Sequence, residues 1–380
     1  MEALLASREV VIFCGSGGVG KTTAAAAAAA TVAARQGGKV LVLTVDPARR
    51  LANALGLSGF GNTETQVPPD AFTAVGVKPR GELWAAMLDT KESWDNLVRR
   101  DAPDAETASK ILENPLYQNI SGRFVQSHDY IAMERLYDLH SSGDYDLIVI
   151  DTPPTRNAID FIEAPQRMAD FFSSRFLRLL IAPARSRVLN LATKPFYQVA
   201  DRILGTQFLQ DISEFFILFQ SMYSGFVRRA REVEALLHNR RTSFVVVTTL
   251  EPAPAEEAAF FVQALTERKF HLGAVVFNKV LPAYLLEPGA VAAAQRLCED
   301  PDAAAAGLAA TIGEPAQVAR VLRELGESFL RFHVVAEREA EQRLELASAA
   351  DDLVTVPYFD SDIHDLAGLL RLGDSLFAAP

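Results

Sequence analysis

The chain has 380 residues, 49% of them hydrophobic, enough to bury a large core as one big domain or two intimate ones. Its 37 basic and 48 acidic residues leave a net charge of −11, which argues against general nucleic-acid binding. The Met1-Glu2 start lacks a basic segment ahead of an apolar stretch, and no apolar run approaches the ~20 residues of a membrane span, so a cytoplasmic protein with no transmembrane segment is expected.

The first predicted element is a buried strand from Val10 to Cys14, an apolar run rich in β-branched residues. It leads straight into Gly15-Ser16-Gly17-Gly18-Val19-Gly20-Lys21-Thr22-Thr23, whose spacing Gly15-x4-Gly20-Lys21-Thr22 meets the pattern of a phosphate-binding loop. The glycines let successive backbone N–H groups turn toward a polyphosphate, Lys21 supplies a cation for the β- and γ-phosphates, and the Thr22 hydroxyl can bind Mg2+. Ala24 to Ala30 have high helix propensity, so the loop opens onto a helix N-terminus whose dipole favours an anion. The nested Gly15-x-Gly17-x-x-Gly20 also fits a dinucleotide fingerprint, with Asp46 near the distance of a ribose-binding carboxylate. A dinucleotide loop needs no Lys-Thr after its last glycine and a triphosphate loop needs both, which favours a nucleoside triphosphate. Cys14 and Cys298 form neither a disulfide framework nor a C-x-x-C clip, and Cys14 reads as a small buried residue.

Further strands are predicted at Val40 to Val45, Leu147 to Ile150, Phe244 to Thr248 and Ala274 to Phe277, with helical patterns between them. This alternation gives an α/β fold class, a doubly wound, mainly parallel sheet. The second strand ends at Asp46, where a carboxylate could orient an attacking water, and the third runs into Asp151, suited to the Mg2+ water shell. About a hundred residues separate those two strands and about ninety separate the next pair, more than a crossover requires, so helical inserts are expected. The second insert is aromatic: ten of the 23 Phe residues fall between Phe161 and Phe226, with helical spacing in Phe215, Phe216, Phe219, Tyr223 and Phe226. Internal packing is the first reading of that stripe, and a surface for a hydrophobic client the second. A helix from about Gln317 to Ala347 and a docked terminal helix through Leu366, Leu369 and Leu370 complete the pattern. The expected organisation is a single P-loop domain over 1–380, formed by about 1–85, 137–160 and 240–380, with inserts at about 86–136 and 161–239.

Taken together, these motifs resemble the ArsA/GET family, deviant-Walker-A ATPases that include arsenite-pump ATPases and targeting factors for tail-anchored membrane proteins. The likeness rests on Gly15 to Thr23, on Thr44-Val45-Asp46-Pro47-Ala48 and Asp151-Thr152-Pro153-Pro154-Thr155 as switch loops, and on Val276-Phe277-Asn278-Lys279 and Val356-Pro357-Tyr358. The resemblance implies ATP or ADP with Mg2+ as cofactors, catalytic roles for Asp46 and Lys21, metal binding through Thr22 and Asp151, and adenine contacts from Asn278 and Pro357. It also implies a homodimer, or a heterodimer with a related ATPase, working on a hydrophobic protein client or a membrane anion transporter. Two departures stand out. Ser16 occupies the place of the family's signature lysine, which reaches the partner's phosphates across a dimer, and Arg156-Asn157 replaces the usual Gly-His after switch II. Arg49, Arg50 and Arg156 are candidates to restore the charge, although arginines beside a loop are usually solvated. Arsenite capture is disfavoured because Cys14 and Cys298 are the only thiols. The competing expectation is an ATP-binding regulatory or assembly subunit with weak hydrolysis, paired with a lysine-bearing relative.

Overall fold

The strands, in chain order, are β1 (Val10–Cys14), β2 (Lys39–Thr44), β3 (Thr65–Gln66), β4 (Glu82–Met87), β5 (Leu147–Asp151), β6 (Thr242–Thr248), β7 (Leu272–Val280) and β8 (Leu353–Pro357). The computed structural model describes residues 1–45, 50–57, 61–120, 125–153, 163–164, 166–167, 170, 214–308, 313–347 and 352–378. Among these residues the strands form one sheet in the order β3-β4-β2-β5-β1-β6-β7-β8. Every pairing is parallel except β3 with β4. The expected doubly wound architecture is therefore present.

Three strands were not foreseen. The β4 sequence Glu-Leu-Trp-Ala-Ala-Met contains no β-branched residue, and its extended form is fixed by pairing along the whole of β2. Val356 and Pro357 of the quoted Val356-Pro357-Tyr358 segment end a strand, β8, which pairs with β7 up to Pro357. The two-residue β3 is short enough to be set wholly by its neighbour. The expected boundary at 85/86 thus falls inside β4.

The main helices around the sheet are α1 (Lys21–Arg35), α2 (Thr90–Asp101), α3 (Val125–Ser142), α4 (Tyr223–Leu237), α5 (Pro252–Glu267), α6 (Pro315–Ala347), which packs chiefly on the helices Pro288–Glu299 and Pro301–Ala306, and α7 (Leu366–Phe377). Side chains alternate along β1: Val10, Ile12 and Cys14 join one buried cluster with residues of α2 to α5, while Val11 and Phe13 join another with α1 and α7. Both faces are covered, which is why the central strands read as continuous apolar runs.

On the second face the alanines of α1 have a role beyond helix propensity. Ala24 to Ala30 are all buried, and their small side chains let α7 approach closely, with Gly373 against Thr31 and the Ala27 carbonyl. Leu366, Leu369, Leu372 and Leu376 seat the apolar face of α7, so the terminal helix docks as expected.

On the first face the described part of the aromatic insert packs inward. Phe215, Phe219 and Phe226 are buried: Phe215 meets Tyr117, Phe219 and Phe226 meet Trp94 of α2, and Phe226 also meets Tyr130 of α3, with the Phe219 and Phe226 centroids 5.3 Å apart. Arg229 of α4 pairs with Asp101 of α2 and, at 2.7 Å, with Glu134 of α3, which ties the three helices through buried charge. Phe171, Phe172, Phe176 and most of the expected insert lie outside the described residues. Among the described residues no helix is long and apolar enough to cross a membrane.

Candidate functional site

The loop Gly15 to Gly20 joins the end of β1 to the first turn of α1 at the C-terminal edge of the parallel sheet, the edge where open α/β sheets bind ligands. It lies against the ends of β6 and β7. A Cβ on Gly15 would strike the Val247 carbonyl, and one on Gly20 would strike the Asn278 amide, so this path is open only to glycine at both ends. Gly20 has φ 91, a left-handed conformation that turns the chain into α1. Among the described residues, the backbone N–H groups of Gly17, Gly18, Gly20, Lys21, Thr22 and Thr23 donate no hydrogen bond. The Ser16 hydroxyl is buried and likewise has no partner there. Donors gathered at a helix N-terminus, open to solvent at Gly17 and Gly18, form a ready anion site, so the loop fits a polyphosphate.

Three strand ends supply the chemistry beside the loop. Asp151, at the end of β5, is fully buried, and its Oδ2 accepts hydrogen bonds from the hydroxyls of Thr22 at 2.6 Å and Thr44 at 2.9 Å. Its Oδ1 lies 3.5 Å from the Nζ of Lys21, itself only 5% exposed. Lys21, Thr22 and Asp151, predicted separately from sequence, therefore form one group, with Thr22 hydrogen-bonded and Lys21 ion-paired to the Asp151 carboxylate. The Lys21 ammonium and the two hydroxyls together offset part of the desolvation of the buried Asp151 carboxylate. An oxygen set of a hydroxyl and a nearby carboxylate suits a hard cation that keeps water and phosphate ligands, which fits Mg2+.

Thr44 is the residue that sequence reasoning quoted without a role. It sits directly opposite Asp151 in the β2–β5 register, and only strand order reveals that. Thr152 adds a second contact: its N–H and hydroxyl both donate to the Phe13 carbonyl, at 3.3 and 2.9 Å, and tie the end of β5 to the root of the loop. Cys14 is buried there too. Burial raises its thiol to about 12 against the opposing pull of the Lys21 charge, so it is an inert packing residue.

On the other side of the loop, Asn278 donates from Nδ2 to the Val19 carbonyl at 2.7 Å and accepts the Lys279 N–H on Oδ1 at 3.0 Å. The side chain expected to read adenine thus also braces the loop from behind. Pro357, exposed at the end of β8, lies beside Val280 on the neighbouring strand, so Asn278 and Pro357 occupy adjacent strand ends. Asp46, Arg49 and Arg156 lie outside the described residues, as does the side chain of Arg50.

Comparison with known proteins agrees with this geometry. The family model for anion-transporting ATPases matches residues 8–299. A protein named "Putative arsenical pump-driving ATPase 2" from Aquifex aeolicus is 26% identical over 278 residues, covering 72% of this chain and 80% of that protein. ATPase ASNA1 homolog 1 of Paramecium tetraurelia is 25% identical over 271 residues, 70% of this chain and 73% of its own length. ATPase GET3 of Malassezia globosa is 25% identical over 286 residues, with 71% and 72% covered.

Proposed function

The chain belongs to the anion-transporting ATPase family, and we propose on that basis that it is a Mg2+-dependent ATPase whose bound nucleotide drives a conformational change in its helical inserts. The observation that carries this reading is the Asp151 carboxylate, hydrogen-bonded by Thr22 and ion-paired with Lys21, beside a loop of unpaired backbone donors. Bound Mg2+ would neutralise charge on the transferring phosphoryl group. Lys21 and the loop amides hold the phosphates, Thr22 and Asp151 hold the cation and its water, and Asp46 orients the attacking water. The inserts hand the nucleotide state to a hydrophobic protein client or a membrane anion transporter, because they share one core with the strands that carry the switch residues.

Ser16 favours a second reading. With no lysine at this position and a neutral hydroxyl instead, the chain lacks the cation its family sends across a dimer, so it would work as a weakly hydrolysing subunit beside a lysine-bearing relative. The first test is common to both readings. Calorimetry should show Mg-ATP binding that Lys21→Ala abolishes, while Asp46→Asn should retain binding and lose turnover by ~10²-fold or more. Undiminished turnover in Asp46→Asn would remove the catalytic assignment, and an absence of ATP binding by the unaltered protein would remove the whole reading.

A further inference from the structure

The pairing of β7 with β8 contains one extra residue. Phe277 faces Thr355 and Val280 faces Pro357, so three steps along β7 match two along β8, and Asn278 and Lys279 occupy the bulge. In a regular strand these two consecutive side chains would point to opposite faces. The bulge removes that alternation, because Lys279 adopts φ 60, a left-handed conformation that favours glycine. As a result both side chains reach the same loop and cap consecutive carbonyls: Asn278 Nδ2 donates to Val19 O at 2.7 Å, and Lys279 Nζ donates to Gly18 O at 3.3 Å.

We infer that Lys279 is a positioning residue that holds the phosphate loop in its anion-ready form. A loop that turns its N–H groups inward must turn carbonyls outward, and repulsion among those carbonyls favours other conformations when no anion is bound. A cation on the Gly18 carbonyl and an amide on the Val19 carbonyl oppose that relaxation from behind. The ammonium lies on the carbonyl side of the loop, so it acts through the backbone and does not substitute for the charge missing at Ser16. Lys279 takes a backbone strain that glycine would avoid, and its ammonium is the group that meets the loop. This inference rests on the ATP-binding reading for its ligand, while its effect on the loop is independent of any nucleotide.

Lys279→Gly is the decisive variant, because glycine keeps the bulge and its backbone conformation and removes only the side chain. In the ligand-free protein, backbone NMR order parameters should fall at Gly18 and Val19 in Lys279→Gly and stay unchanged in β6. The Kd for Mg-ATP, and with it KM, should rise by ~5-fold, the loss expected for one solvent-exposed hydrogen bond of ordinary strength, while kcat stays within about twofold. Lys279→Arg should restore most of the affinity, whereas Lys279→Met should behave like the glycine variant. Unchanged order parameters in Lys279→Gly would overturn the inference even if the protein bound no ATP. An unchanged Kd in a protein that does bind ATP would overturn it equally.

Discussion

Cys14 shows how far a residue's chemistry depends on where it is placed. It stands immediately before the loop, 1% exposed, and burial raises its thiol from 9.0 to about 12. A raised thiol pKa favours the neutral form in the fold. Its contribution to stability is thus complete below pH 9 and declines as pH rises toward 12. In native protein at pH 8.5 a maleimide should therefore modify Cys298 and spare Cys14, with the second thiol titrating only in denaturant. Labelling of both in the native state would show that the strand end opens to solvent. Lys21 and Asp151 illustrate the opposite case, in which sequence motifs identified the residues one at a time and folding placed them 3.5 Å apart.

Among the helices, α1 and α7 carry the clearest packing argument. The alanine run was legible as helix, but nothing in its local pattern says that the helix must be thin. That requirement comes from α7, whose Gly373 abuts Thr31. Gly373→Val should overpack this contact and lower stability by ~1–3 kcal/mol in chemical denaturation, and Thr31→Ala in the same chain should recover part of the loss. Full additivity of the two substitutions would mean the helices do not meet there. β4 is the contrasting element: its sequence was read as the end of a core segment and the start of an insert, since strand propensity is weak and neighbouring pairing overrides it. At Phe215, Phe219 and Phe226 the aromatic stripe packs inward, against Tyr117, Trp94 and Tyr130.

For the molecule as a whole, Ser16 sets the expected behaviour. A preorganised cation in a dry interface stabilises transition-state charge strongly, and a serine hydroxyl does not. Purified alone, the protein should hydrolyse ATP slowly, and adding a family member with lysine at the corresponding position should raise steady-state turnover. A homogeneous preparation already fast, and indifferent to Arg156→Ala, would show that no cross-subunit cation is required. Local spacing was sufficient to specify the phosphate loop, because Gly15 to Thr22 act through adjacent backbone groups whose geometry follows from glycine positions and the helix that begins after them. It was also sufficient for the doubly wound class, which follows from apolar strands alternating with helices. The rest depended on which strands became neighbours. Thr44 meets Asp151 across 107 residues of chain and Asn278 meets Val19 across 259; such contacts arise from sheet order and a one-residue bulge, and neither leaves a periodic trace in the sequence.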